Sequence, residues 1–314
     1  MAITRNTNAS ARGGELARKL AARAGVIWAA ILQFLTFGAN SDPGKPHTFF
    51  YRHKLPVRLT HWINAVVITI MLMSGLQIFN AHPALYIGQG ADFANPLLSL
   101  YAVRGTDGTM RGITQLGPWH FDTTGLFGLS DVDGQPTIRG FPSWVTLPGP
   151  QWLAMGRVWH FFFAWLFAIN GLAFAVYAFA SGHFKRDLLP TKQDIQHLPH
   201  EIVEHAKLEF AHDEEAKHYN SLQKITYFLV IFGLGPLVVL TGLTMSPMLD
   251  AAFPFLPWIF GGRQTARTIH FFCAFSFLGF FIIHIVMAVL AGTWNNVRSM
   301  ITGRFAVEMD SRHE

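Results

Sequence analysis

The chain has 314 residues, 51% of them hydrophobic and only 14% charged, with a formal net charge of +5. That is too apolar for an ordinary water-soluble domain and long enough for a membrane bundle with sizeable loops. The basic balance demands no nucleic acid partner, because the positive charge lies at the ends of apolar segments and no groove-reading motif accompanies it.

The chain begins with scattered Arg and Lys up to Arg23, followed by an apolar run from Val26 to Phe37. It has the outline of a signal peptide, but cleavage or a span there would send Lys45, Arg52, Lys54 and Arg58 outward, against the charge rule. The run is also short for a span, so the expectation is an amphipathic helix lying on the membrane surface within an N-terminal segment, 1–50. A linker rich in turn residues, with Asp42, Pro43, Gly44 and Pro46, leads into the bundle.

Four stretches are long enough to cross a bilayer as helices: about 57–79, 153–181, 222–245 and 268–292. The expected fold is an all-α membrane protein: a four-helix transmembrane bundle over 51–300, a long external loop over 80–152 and a short tail over 301–314. The first span opens YRHKLPVRLTHW, with Arg58 and His61 one helical turn apart and Pro56 suited to the helix start.

The 80–152 loop has a Gly, Pro, Asp and aromatic content that reads as turns and short irregular elements forming a small external cap. Its eight aromatic residues from Phe93 to Trp152, among them Trp119, Phe121 and Trp144, argue against disorder. Two compatible roles follow: a lid packed on the bundle and a docking surface for an external partner.

The second span starts MGRVWHFFFAWLF, and Arg157 again precedes a histidine, His160, by three residues. The next segment carries His197, His200, His205, His212 and His218 among Asp and Glu, where a solvated helical face explains the composition as well as metal binding does. The third span has no histidine; Gly233, Gly235, Pro236 and Gly242 mark close packing or a kink. The fourth carries His270 and His284 with no charge between them, and Arg267 precedes His270 by three. Fourteen residues of helix separate those two imidazoles by about 21 Å and nearly four whole turns, so both face one side. The single cysteine, Cys273, lies between them and excludes intramolecular disulfides, thiolate zinc clusters and the paired-cysteine attachment of c-type haem. After Gly292 an amphipathic stretch, NNVRSMITGRF, returns to the surface.

Orientation follows from Lys and Arg counts in the flanks. Residues 1–58 carry nine, 182–224 six and the tail after Gly292 three, against four in 81–157 and two in 247–267. Both termini are expected in the cytoplasm. The second and fourth spans then both start outside, pairing His160 with His270, while the first starts and the fourth ends inside, pairing His61 with His284. Two stacked bis-imidazole levels are what a pair of b-type haems requires, and Arg58, Arg157 and Arg267 are placed to meet propionates or to snorkel to headgroups.

With these residues in view, the four spans resemble the di-haem cytochrome b subunits of membrane-bound formate dehydrogenases, nickel-iron hydrogenases and thiosulfate-reductase-type complexes, the bacterial b561-like superfamily. In that family the fourth helix carries two haem-ligating histidines fourteen apart, matching His270 and His284, and the other ligands lie near the starts of the first and second helices, matching His61 and His160. The formate dehydrogenase cytochromes also have a Tyr-Asn-x-x-Gln-Lys run entering the third helix, matched here by Tyr219, Asn220, Gln223 and Lys224. The resemblance implies two haem b groups and a quinone site lined by Asn220, Gln223 and His284, although Asn220 also reads as a helix N-cap. It further implies a multi-pass protein of the bacterial inner membrane that passes electrons between a periplasmic oxidoreductase subunit and the quinone pool. The N-terminal helix and the long loop exceed the usual pattern and look more like cytochromes serving a molybdopterin oxidoreductase. The rival readings are a self-sufficient b561-like quinone, superoxide or ferric reductase, and a haem-free anchor or metal-ion transporter.

Overall fold

A computed structural model of the chain describes residues 21–29, 47–207 and 220–308, together with Glu15, Arg18 and Lys19. Residues 21–29 are helical, with Val26, Ile27 and Trp28 exposed. The remainder of the apolar run, 30–37, lies outside the described residues, as do Tyr219, His212, His218 and the tail beyond 308.

Among the described residues, four helices are long and apolar enough to cross a membrane: α1 (Leu55–Phe79), α2 (Leu153–Ala180), a third over Ser221–Thr244, and a fourth over Arg263–Leu290. Trp165 and Leu172 on α2 are 68% and 67% exposed; large apolar groups turned outward at that level belong in lipid rather than water. Between α2 and the third span lie a π-helical turn, Phe184–Leu188, and α3 (Lys192–Lys207). The third span is composite. It runs as α4 (Ser221–Phe228), widens into a π-helical stretch over Leu229–Leu234, and resumes as α5 (Gly235–Thr244). Pro236, which has no N–H to donate, accounts for the break at the place where the glycines and proline predicted a kink.

Two short helices follow, α6 (Pro247–Ala252) and α7 (Phe255–Ile259), and then the fourth span, α8 (Arg263–Leu290). It starts five residues before the expected position. Apolar content alone dates the start to Thr268, but Gly261 and Gly262, with φ of 68° and 117°, end the preceding loop, and Gln89 Oε1 accepts the Arg263 N–H at 2.8 Å. A side chain at Gly262 would collide with the backbone of Gly88.

The chain divides into two compact units. One comprises 59–180 and 229–279 and holds most of the four spans. Its helical core is built on Val238, Cys273 and Phe277, with Ile68 and Phe167 against them. Asn170, buried in α2, donates to the Thr60 carbonyl at 2.9 Å and to Asn64 Oδ1 at 2.8 Å, pinning α2 to α1. Gly156 lets the same helices approach, since a Cβ there would sit 2.9 Å from Gln77 Cγ.

This unit also contains the cap, and here the reading of 80–152 as irregular is corrected. The segment is mostly antiparallel β. Strands β2 (Ala84–Leu85), β3 (Leu98–Arg104), β4 (Met110–Leu116) and β5 (Trp119–Asp122) form one sheet in chain order, and β6 (Gly128–Val132) and β7 (Gln135–Arg139) form a hairpin. The apparent disorder of the sequence comes from short strands joined by dense turn chemistry. Asp133 (φ 54°) and Gly134 (φ 78°) make the two-residue β6–β7 turn, the geometry that suits a twisted hairpin. Asp107 ends β3 by accepting from the hydroxyl and backbone of Thr109 at 2.7 and 3.1 Å, bonds that hold its carboxyl down at about 2.

The lid role is visible in the packing. Phe79, Leu85, Leu100 and Phe141 form the cap's core, and Phe271 and Phe275 of α8 pack against it. Arg139 is buried beneath, donating to the carbonyls of Phe141 (2.6 Å) and Gly149 (3.1 Å) and to Thr146 Oγ1 (2.9 Å).

The other unit comprises 1–58, 181–228 and 280–314. In it β1 (His47–Tyr51) pairs antiparallel with β8 (Arg304–Glu308), joined to the fourth span by α9 (Thr293–Thr302). Gly303 makes the turn into β8 with φ 83°, in a space that Tyr51 and the His53 carbonyl leave for no side chain.

Replacing Arg139 with Met should remove three hydrogen bonds, leaving the Phe141 carbonyl only the Asn80 amide and the Gly149 carbonyl only the Thr146 hydroxyl as donors, and cost the cap about 2–4 kcal/mol. Hydrogen exchange on the intact protein should show 98–146 losing protection while the four spans keep theirs; unchanged protection would show that Arg139 does not hold the cap together.

Candidate functional site

His160 on α2 and His270 on α8 face one another with ring centres 6.2 Å apart and planes at 67°. Each ring is fixed through Nδ1 to a helix of the same compact unit. His160 Nδ1 lies 3.2 Å from the Met71 carbonyl and 3.2 Å from Ser74 Oγ of α1. His270 Nδ1 lies 2.9 Å from the Val238 carbonyl and 3.2 Å from Thr241 Oγ1 of α5. A backbone carbonyl only accepts, so both rings carry their proton on Nδ1 and present the Nε2 lone pair. The two hydroxyls spend their own protons on Ile70 and Leu237 carbonyls, at 2.7 and 2.8 Å, and so face the imidazoles as acceptors.

The two arrangements are copies of one device. Carbonyl, hydroxyl and glycine occur at the same spacing, Met71, Ser74 and Gly75 on α1 and Val238, Thr241 and Gly242 on α5. A Cβ at either glycine would lie 3.3 Å from the Cε1 of its imidazole, so a larger residue would push the ring out of place. None of these partners was singled out from the sequence except Gly242, and that only for packing. The signal that could have found them is a hydroxyl residue followed by glycine on each of two spans.

Two imidazoles are too few for a site in which protein supplies every ligand, and among the described residues no three His, Cys, Asp or Glu side chains converge. They fit an iron whose other four donors come from a porphyrin. Two metal–imidazole bonds of about 2 Å each, with the half-widths of the rings, bring the ring centres to roughly 6 Å. The donor set, the tautomer and the spacing all suit a six-coordinate haem.

The arginines expected beside this level have other partners. Arg267 donates to the His82 carbonyl at 2.5 Å and lies over the Phe79 ring at 5.4 Å. Burial, and then the Arg267 charge, push the His82 pKa down, and His82 Nε2 is 3.1 Å from the Tyr86 hydroxyl. Arg157 is exposed and lies over Phe161 at 5.6 Å.

In the other unit, His284 stacks on Phe280 at 5.6 Å, and Tyr227 meets Phe280 edge-on at 6.5 Å. Arg58 donates through Nη1 to the Ile301 carbonyl. His61, which belongs to the first unit, packs edge-on against Trp62 at 5.3 Å. Pairing His61 with His284 rests on helix direction in the sequence.

The start of the third span is held from α3. Asn220 is an N-cap, its Oδ1 accepting the Gln223 N–H at 2.8 Å. Glu201 accepts the N–H groups of Ser221 and Leu222 at 3.0 and 2.8 Å, and Lys224 pairs with Asp194 at 3.0 Å. Burial alone would raise the Asp194 carboxyl, but bonds from Thr191 and Lys224 outweigh it and hold the group at about 2. Glu201 and Asp194 are twenty or more residues from the helix they hold, and sequence reasoning missed both. Of the histidines on α3, His200 lies 3.5 Å from Glu204, and the side chain of His205 is outside the described residues.

A bis-imidazole site inside a bundle of four membrane-spanning helices defines a class, the membrane b-type cytochromes. The comparisons agree. The family described as prokaryotic cytochrome b561 matches residues 52–303, and the chain belongs to that family. It is a multi-pass membrane haem protein. It is similar, at 24% identity over 234 residues, to a protein of Azospira oryzae provisionally named protein-methionine-sulfoxide reductase subunit YedZ1, the match covering 74% of this chain and 88% of that one. No solved structure matches it significantly.

Gly75→Val and Gly242→Val should each displace one imidazole and weaken haem binding at this site by about tenfold or more, read as haem per chain in the purified protein. Ser74→Ala and Thr241→Ala, which leave the carbonyl acceptors in place, should retain haem. Full occupancy in both valine variants would show that the glycines do not shape the site.

Proposed function

We propose that this protein is a di-haem b cytochrome that carries electrons across the bacterial inner membrane between a periplasmic oxidoreductase partner and the quinone pool. The observation that carries the reading is the His160–His270 pair, with rings 6.2 Å apart and both Nδ1 atoms committed to carbonyls. A bound haem supplies a one-electron carrier. His160 and His270 would hold it, each through Nε2, and two protein donors to one iron favour electron transfer over chemistry on a bound substrate. His61 and His284, paired by helix direction, would hold the second haem b. Arg58, Arg157 and Arg267 remain the cations nearest the ligand turns in sequence, and propionates are their proposed partners.

Lys and Arg counts put both termini in the cytoplasm and the cap outside. The relative's printed name makes it a reductase subunit, which supports an oxidoreductase partner for this chain as well, with the cap as the surface it meets; a molybdopterin enzyme is the class proposed.

Quinone is proposed to bind at the start of the third span. Asn220 and Gln223 supply amide donors for its carbonyls. Tyr227 lies one turn beyond Gln223, and through Phe280 leads to His284. Glu201 and the Lys224–Asp194 pair hold this helix start in position, and Asn220 both caps the helix and carries the amide that the proposal uses.

The purified protein should give about two b haems per chain by pyridine haemochrome, falling toward one in His270→Ala or His284→Ala. A folded, haem-supplied preparation with no Soret band would end the cytochrome reading.

Separately, Asn220→Asp keeps an N-cap acceptor and removes the amide donor, so it should preserve folding and haem while slowing quinol-dependent haem reduction about tenfold. Asn220→Asp reacting at the wild-type rate would remove Asn220 from the quinone site.

A further inference from the structure

The segments just before the first span and just after the fourth build a small module whose chemistry the electron-transfer reading does not use. Strands β1 and β8 pair along five residues, from His47 with Glu308 to Tyr51 with Arg304, and α9 leads into β8. Between them opens a groove of ≈ 400 Å³ lined by Phe49, Arg298, Thr302 and Arg304.

The groove is cationic and built in advance of any ligand. Arg298 lies over the Phe49 ring at 4.9 Å, and its Nη2 donates to Asn295 Oδ1 at 2.5 Å. Its Nε is buried with no hydrogen-bond acceptor among the described residues. Neither Arg298 nor Arg304 has an ion pair among the described residues. Thr302 ties the two together, its hydroxyl donating to the Arg298 carbonyl at 2.8 Å and accepting the Arg304 N–H at 3.1 Å. Asn295 braces β8 by exchanging bonds with Ala306 at 2.7 and 2.9 Å. A guanidinium N–H out of water and without an acceptor is costly, and an anion with several oxygens removes that cost.

The setting identifies the anion. Residue 290 ends a membrane span and α9 starts at Thr293, while β1 ends four residues before the first span begins. Trp294 and Ile301 on α9 are 40% and 59% exposed, a pattern that suits a helix lying in the headgroup region. Two arginines, a hydroxyl and an aromatic face at a membrane surface match a phosphate that arrives attached to a lipid, since guanidinium forks suit phosphate oxygens and Phe49 supplies apolar contact beside them.

We propose that the groove between α9 and the β1–β8 pair holds the phosphate of an anionic phospholipid, gripped by Arg298 and Arg304 beside Phe49. The site is independent of the haem ligands and of the quinone reading.

The test is a native mass spectrometry titration of the delipidated, haem-loaded full chain in detergent, with phosphatidylglycerol, phosphatidylcholine and inorganic phosphate as the three probes. Phosphatidylglycerol should bind at least tenfold more tightly than phosphatidylcholine, and inorganic phosphate should not displace it. Arg298→Gln and Arg304→Gln should each weaken phosphatidylglycerol about fivefold, the equivalent of roughly 1 kcal/mol per arginine, with haem content unchanged. Equal binding of the two lipids, displacement by inorganic phosphate, or variants that bind as wild type would overturn the proposal. Haem loss in the variants would assign the arginines to haem instead. Should the glutamine variants fail to fold, the wild type still decides: its preference for phosphatidylglycerol must shrink as salt is raised, and a salt-independent preference sinks the idea.

Discussion

Everything at the centre of this molecule depends on a proton at Nδ1. An imidazole in an apolar bundle must satisfy that N–H, and the helix backbones around it have already used their carbonyls in the i to i−4 ladder. A carbonyl oxygen has two lone pairs, however, and Met71 and Val238 each accept a second bond, from His160 and His270. For the ring to reach that second lone pair it must lie against the helix surface, and only glycine four residues on leaves room, which is why Gly75 and Gly242 stand where they do. The hydroxyl three residues on shares the proton. Imidazole orientation therefore dictates which helices touch: α1 with α2 through His160, and α5 with α8 through His270.

The cap belongs to the same constraint. The first turns of α8 must be held still if His270 is to be, and the segment that follows α1 does this. Thr268 donates to the Tyr86 carbonyl at 2.7 Å, Thr265 accepts from Gly88, and Arg267 reaches the His82 carbonyl. The β-sheet then covers these contacts with a core that includes Phe271 and Phe275, on either side of Cys273. The cap is thus part of how the fourth helix is anchored, whatever else meets its outer face.

The spans and the meeting of His160 with His270 were legible because hydropathy and helical periodicity are local, and fourteen residues of uncharged helix between two imidazoles leave little else to read. The cap was not legible as sheet. Its strands are short, β5 is exposed along its whole length, and the alternation that marks a half-buried strand is absent, even though Asp133 and Gly134 stood in the sequence as a hairpin turn. Residues acting across long separations were also missed. Ser74 reads as an ordinary packing residue until His160 is known to touch it, and Glu201 gives no hint that its carboxylate ends a helix starting twenty residues later. Asn220 shows the opposite case, where both readings stand on one side chain: its cap bond is present, and the amide is the part the quinone proposal requires.

The choice of acceptor also bears on redox behaviour. A ligating histidine whose Nδ1–H is given to a carboxylate becomes more basic and stabilises the oxidised metal, whereas one given to a neutral carbonyl stays a weaker donor. Here both acceptors at this level are carbonyls, each assisted by a neutral hydroxyl, and the charged side chains one turn before the two histidines, Arg157 and Arg267, are cations. Neutral acceptors and flanking positive charge act in the same direction, and both would favour the reduced state of an iron that His160 and His270 would hold. A low-dielectric bundle amplifies that preference, because little water is present to screen it. The same residues that hold the rings in place would thus also set the direction in which the protein shifts the potential of a haem bound there.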